Sequence, residues 1–382
     1  MSRHTVPGRW VTVAAGYRAF VPEPLPPRMR WSPNLVRLSA EASLLLGRLA
    51  GEGGRLPNPH AFIRPFLRRE AVLSSKIEGT QATLGELLAA EAGLAVRRSP
   101  NDLREVANYV VAMEHGIKRL RSLPLSLKLV REVHEKLMRG VRGDRAAPGA
   151  FRRSQNWIGD PDSTPNTASY VPPPPDELMA CLGAWETFLH DRSLPPIVQV
   201  ALAHYQFEAI HPFLDGNGRV GRLLIILFLI ERGVLPAPLL YLSAYFEATR
   251  PQYYRRLQRV TRHGDWEEWI EYFLTATVRM SEDVLARAAK MTARLASWRR
   301  QVAGSPRAAH RMIDVLAENP YLSAKSASKC ARIAFTTAQR GIETLEKAGI
   351  VEQVAGEKRG KVYCAKPLLR ILEAPPRLAA EA

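Results

Sequence analysis

Within twelve residues, His211-Pro212-Phe213-Leu214-Asp215-Gly216-Asn217-Gly218-Arg219-Val220-Gly221-Arg222, the chain collects the parts needed to handle a phosphate ester. His211 is the one group of the stretch that exchanges a proton near neutral pH, which suits a general base. Asp215 offers a hard carboxylate oxygen of the kind magnesium takes. Gly216 and Gly218 flank Asn217 at a turn, where backbone N–H groups can converge on an anion at a helix start. Arg219 and Arg222 lie three apart and share a helix face. No packing role asks for His, Asp, Asn and two Arg together, so a phosphate-transfer site is the stronger reading.

The flanking sequence says what must hold these groups. Pro196 to Ile210 reads as an apolar helix entering the loop, and Leu223 to Ile230 as a buried helix leaving it and ending at Gly233. Helix, tight loop and helix is the expected local structure.

These residues resemble the signature of the Fic family, H-x-F-x-(D/E)-G-N-G-R-x-x-R, and match every specified position. Most of that family moves the AMP part of ATP to a hydroxyl of a target protein. The resemblance therefore implies ATP as substrate with Mg2+, held by Asp215, Gly216, Asn217, Gly218, Arg219 and Arg222, with His211 as base and Asp215 as the metal carboxylate. Gln206, five residues ahead of His211, is placed as a further nucleotide contact. Relatives that transfer phosphate instead carry a lysine where this chain has Gly218, so AMP transfer is favoured. A nucleotide-sensing DNA-binding regulator, and removal of AMP on the same scaffold, are the other readings.

A second stretch bears on the first. Ser74 and Glu78 are one helical turn apart, and Gly79 closes their helix, expected at about 62–79. A carboxylate in the last turn meets the negative end of the helix dipole, so Glu78 should have an arginine partner. The pattern Ser-x-x-x-Glu-Gly resembles the inhibitory helix of Fic proteins, and the resemblance makes that partner Arg222.

Composition sets the outer bounds. A chain of 382 residues allows two or three domains, and 46% apolar with 24% charged residues is ordinary for a soluble globular protein. No apolar run approaches a membrane span, and the first residues lack an apolar signal region, so a cytoplasmic protein with no membrane partner is expected. Cys181, Cys330 and Cys364 are too scattered for a ligand cluster and read as reduced thiols. The net charge of +17 predicts attraction to polyanions, nucleic acid or acidic protein alike.

The fold class expected is mainly α, a Fic-type helical bundle with a β-hairpin flap, followed by a C-terminal winged helix-turn-helix domain. Residues 1–100 form an N-terminal region whose first 33 residues read as an irregular proline-rich arm, followed by a helix from about 35 to 49 that stops at Gly51. Residues 101–285 form the catalytic domain, with helices over 102–120 and 126–138, a hairpin flap at about 149–172, and a last helix from Trp266 to Met280. His134 falls on a helix and reads as structural. The aromatic residues Tyr241, Tyr245, Tyr253 and Tyr254 read as core. Residues 286–304 read as a basic linker.

From 305 to 382, three helices (306–318, 323–330 and 336–348, the last capped by Thr336) precede a hairpin whose basic tip is Gly356 to Gly360. That order resembles a winged helix, which implies DNA or a protein as partner. The other partners expected are a target protein with an exposed hydroxyl, the chain itself included, and a second copy in a homodimer.

Overall fold

Why each segment folds as it does is visible in the computed structural model, which describes residues 7–55, 59–96, 99–141, 147–355 and 360–378. Strands β1 (Gly8–Thr12) and β2 (Arg18–Pro22) pair antiparallel, with Trp10 opposite Phe20. This corrects the irregular arm. The prolines cluster from Pro22 onward, so the residues before them keep the N–H groups that a ladder needs.

Helix α1 (Pro33–Arg55) runs straight through Gly51, the expected stop. Its Gly53 lies against Leu239, where a β-carbon would come within 2.5 Å of the leucine side chain, so close packing explains that glycine better than helix termination. Helix α2 (Pro59–Ile77) ends at Gly79, whose φ is +96°. A short α3 (Leu84–Glu91), which the sequence reading omits, is started by a reciprocal cap between Thr83 and Glu86. Pro100 opens α4 (Pro100–Arg119), and the Ser126 side chain caps α5 (Leu127–Met138).

The flap is less regular than a hairpin. Between residues 149 and 172 one antiparallel bridge forms, Ile158 with Tyr170. Turns and side chains take other backbone groups: Ser163 N donates to Asp160 O, Gln155 Nε2 to Pro172 O and Trp157 Nε1 to Ser163 O. The proline run that follows lacks the N–H groups to extend pairing.

Helix α6 (Pro175–Leu189) leads to the centre of the bundle. There α7 (Pro196–Ile210) and α8 (Asn217–Glu231) pack together and are buried on nearly every face, as their unbroken apolar sequence requires. Helices α9 (Ser243–Ala248) and α10 (Arg250–His263) follow. They place Tyr241, Tyr245 and Tyr253 in the core and leave Tyr254 partly exposed.

Helix α11 (Trp266–Gln301) corrects both the expected end near Met280 and the linker. Met291, Leu295 and Trp298 continue its buried stripe at helical spacing, so the basic run is the outer face of one uninterrupted helix. Arg287 is the exception and is buried against Asp283 one turn earlier, at 2.6 Å.

Beyond it come α12 (Arg307–Glu318), β3 (Tyr321–Ser323), α13 (Ala324–Ala331), α14 (Phe335–Lys347), β4 (Glu352–Ala355), β5 (Val362–Cys364) and α15 (Lys366–Glu373). The strands form one antiparallel sheet in the order β3-β5-β4. Ala334, not Thr336, stands at the N-cap of α14, and α15 is a further helix that the sequence reading omits. The basic hairpin tip, residues 356–359, lies outside the described residues. Among the described residues no helix is long and apolar enough to cross a membrane.

Candidate active site

The loop between α7 and α8 is built by two left-handed residues. His211 (φ 49°, ψ 62°) ends α7 and Gly216 (φ 79°) begins α8. A left-handed histidine is strained by about 1–2 kcal/mol and persists only where its surroundings fix it. Arg152 does much of this work. Its Nε donates to His211 O at 3.0 Å, and its Nη2 donates to Pro173 O at 2.6 Å and Ile210 O at 3.4 Å. Asn156 Nδ2 adds bonds to Phe213 O at 2.8 Å and His211 O at 3.3 Å.

The Asn217 side chain closes the loop on itself: Phe213 N donates to its Oδ1 and its Nδ2 donates to Phe213 O, both at 2.8 Å. Asn217 thus fixes the shape of the loop, with its side chain spent on the Phe213 backbone. His134 supports the loop from below. Its ring stacks on Phe213 at 3.7 Å, takes the Gly149 N–H on Nδ1 and donates from Nε2 to Asp215 O at 3.0 Å. The structural reading of His134 holds.

The His211 ring has a defined tautomer. Its Nδ1 faces the Glu208 carbonyl at 3.3 Å and must donate, because a carbonyl only accepts. The neutral ring then has Nε2 free of a proton. Burial pushes its pKa down to about 4, while the Glu208 carbonyl pulls weakly the other way. At neutral pH His211 is therefore an unprotonated base.

Asp215 is the accessible carboxylate of the loop, with its side chain 47% exposed and one oxygen accepting from Gly216 N at 2.6 Å. Among the described residues no group of three metal-binding side chains forms. One carboxylate together with substrate phosphates is nevertheless how magnesium is commonly held, so the donor set fits an ion that arrives with the nucleotide.

The two arginines face inward. Arg219 is buried, with Nη1 on Glu105 at 3.3 Å and Nη2 at 3.6 Å from Asp215, while its Nε has no partner among the described residues. Arg222, 2% exposed, donates from Nε to Ser74 Oγ (3.0 Å) and from Nη2 to Ser74 O (2.8 Å) and Glu78 Oε1 (2.7 Å). So α2 lies against the loop, and Ser74 and Glu78 hold Arg222 across the 144 to 148 residues that separate them in sequence. Burial raises the Glu78 pKa, but the charge and hydrogen bond of Arg222, with the charge of Arg219, more than reverse this and keep it ionised. Gly218 makes the approach possible, since a β-carbon there would sit 2.3 Å from Glu78 Oε1.

Gln206 is placed differently. It is buried and donates to Glu23 O at 2.9 Å, fastening the N-terminal segment to α7 rather than facing the loop. Three further residues matter here. Arg152 is one. Glu105 is another, joining Thr80 Oγ1 (2.8 Å) and Arg219 to α4. An acid on the apolar stripe of an amphipathic helix was the available signal for Glu105. Glu208 is a third: burial pushes its carboxyl up to about 7, and Oε1 has no partner among the described residues.

Comparison with known proteins agrees with this geometry. Residues 36–118 match the Fic/DOC family N-terminal model and residues 124–229 the Fic/DOC family model. Proteins described as "Protein adenylyltransferase Fic" from Drosophila virilis and Drosophila grimshawi are each 30% identical over 207 residues, 53% of this chain and 39% of theirs. The chain thus spans about two fifths of the length of these curated relatives. A Fic family protein from Desulfovibrio desulfuricans G20 shares the fold with a TM-score of 0.60 at 23% identity, over 89% of this chain and 98% of that one. A Fic domain containing signaling protein from Bacteroides thetaiotaomicron does so with a TM-score of 0.50 at 20% identity, over 66% of this chain and 95% of that one. With both family regions in sequence and the signature loop closed around His211, the chain belongs to the Fic/DOC family.

Proposed function

We propose that this protein is an adenylyltransferase that moves AMP from ATP to a Ser, Thr or Tyr hydroxyl of a target protein and is restrained by its own Glu78. The observation that carries the reading is the state of His211: neutral, tautomer fixed by Glu208 O, and next to an anion nest. Nε2 takes the hydroxyl proton as that oxygen bonds to the α-phosphorus, and the bond from phosphorus to pyrophosphate breaks. The N-terminal backbone of α8 and the two arginines meet the phosphate charge. Magnesium bound with the nucleotide at Asp215 would neutralise part of the phosphate charge.

While Glu78 occupies Arg222, that guanidinium is withheld from the terminal phosphate and the nucleotide is poorly aligned for attack. The target strand is taken to lie along the flap near Ile158, by backbone pairing. The C-terminal unit is read as a winged helix, and the exposed side of α14 carries Thr337, Gln339 and Arg340 beside Glu343 and Glu346, a mixed charge that suits contact with DNA or with a protein. A cytoplasmic setting and self-modification within a homodimer complete the proposal.

The test is His211→Ala. Incorporation of AMP, followed by intact mass after incubation with ATP and magnesium, should fall by roughly 10²–10⁴-fold while ATP binding is retained. Transfer at the wild-type rate would remove His211 from the mechanism.

A further inference from the structure

Helices α2 and α3 form two arms with Glu78 near their apex, between Ile77 and Leu84. The apex is clipped to α4: Thr80 Oγ1 donates to Glu105 and Gln81 N to Asp102 Oδ2 at 3.2 Å. Besides α4 and α9, which pack on α2 from the bundle side, the C-terminal unit grips both arms. On α2, Arg64 pairs with Glu318 of α12 at 2.6 Å, and α12 and α15 both pack on the helix. On α3, Gly85 N donates to Glu373 Oε1 at 3.0 Å. Asn319 Nδ2 donates to Leu88 O at 3.0 Å, and Ser323 Oγ to Ala92 O at 2.8 Å just beyond the helix.

Between these contacts lies a buried cluster. Arg69 of α2 approaches Asp283 of α11 at 3.8 Å and Ala374 O at 3.4 Å. Arg287 holds the same aspartate with two bonds, of 2.6 and 2.9 Å, and donates to Ala374 O and Pro375 O just past α15. Arg69 lies five residues from Ser74, about 7.5 Å along one rigid helix. Arg69 thus links Ala374 O of the C-terminal unit to the helix that carries Ser74.

A passive interface would not need to reach both arms. The contacts fall on α2, on α3 and on the turn after α3, and the apex they enclose makes polar contacts with Glu105, Asp102 and Arg222. Two arms clamped at their base fix the position of the tip.

We propose that docking of the C-terminal unit on α2 and α3 keeps Glu78 on Arg222, which makes Glu318, Asn319 and Glu373 positioning residues that act through Glu78. A partner that lifts this unit would release the site. The proposal rests on the adenylyl-transfer reading for its activity readout and on nothing but the fold for its second readout.

The experiment uses the full chain and the variant Asn319→Ala/Glu373→Ala, with Glu318→Gln as a milder second variant, each also combined with Glu78→Gly. Undocking should raise AMP incorporation by about 5-fold or more when Glu78 is present and add nothing when Glu78 is glycine. Amide hydrogen exchange over residues 70–80 should quicken in the same variants, while α7 and α8 stay protected. Unchanged exchange over 70–80 in both variants overturns the proposal, as does an equal gain with and without Glu78. If neither the wild type nor Glu78→Gly incorporates any AMP, the adenylyl-transfer reading fails while the exchange result still decides the coupling.

Discussion

Replacing Glu78 by glycine isolates one bond of the active site. Arg222 makes two hydrogen bonds to Ser74 of α2 and one to Glu78 just past its end, and Glu78→Gly removes only the last, of 2.7 Å. The arginine stays ordered and becomes available to a phosphate. A charge-assisted bond contributes about 1.5–3 kcal/mol when buried. The Glu78 side chain is 34% exposed, so solvent screens the pair and about 1–2 kcal/mol is the better figure. If that free energy separates the restrained from the competent arrangement, its loss raises AMP incorporation by roughly 5- to 30-fold. Intact mass of the purified protein, sampled over time with saturating ATP and magnesium, measures the rate directly. Arg222→Ala should give no such gain, because it removes the phosphate partner along with the restraint. An unchanged rate in Glu78→Gly, with ATP binding intact, would refute the restraint and leave Glu78 as a helix-end carboxylate.

Two further outcomes follow from burial. Arg152→Ala strands the carbonyls of His211, Ile210 and Pro173, so it should cost about 2–4 kcal/mol in denaturant unfolding, and AMP incorporation should fall as the left-handed His211 relaxes; Arg152→Lys should restore only part of either. Acid should destabilise the fold early, because His211 and His134 are held down to about 4 and His204 to about 3, chiefly by burial. Their folded values lie below the unfolded one, so their contribution is present above about pH 6.5 and is lost as pH falls through 4 and 3. Urea midpoints should drop over that window. Glu208, raised to about 7, acts in the other direction and loses its contribution as pH rises through neutrality.

How much of this was legible beforehand differs from residue to residue. The loop was legible because its information is local: a proline-started apolar helix, two glycines where the chain turns, and an apolar helix after them. The partner of Glu78 was legible too, since a carboxylate at a helix C-terminus calls for a cation and the motif resemblance named it. The bounds of α2, α4, α5 and α7 followed from caps and periodicity, which are properties of a few neighbouring residues.

Elements that failed to appear as expected did so for non-local reasons. The stop at Gly51 and the linker at 286–304 were read from composition, yet Leu239 takes up the space at Gly53, and Met291, Leu295 and Trp298 carry α11 onward into the core. Gln206 sits at a plausible spacing from His211, but a helical side chain's direction depends on what surrounds it, and Glu23 of a distant segment holds it. Arg152 sits in an irregular stretch where sequence gives no direction at all, and only the folded chain brings three carbonyls to its guanidinium.

The sequence by itself determined which groups stand at the site, where the chain turns to gather them, and that Glu78 needs a cation. Only the tertiary structure decided that Arg219 turns to Glu105, that His211 is neutral with its proton on Nδ1, and that the C-terminal unit grips the two arms flanking Glu78. Residue types and short spacings fix turns and helices through local sterics and capping. Burial, charge pairing and the direction of a side chain depend on segments that meet only after the chain has folded.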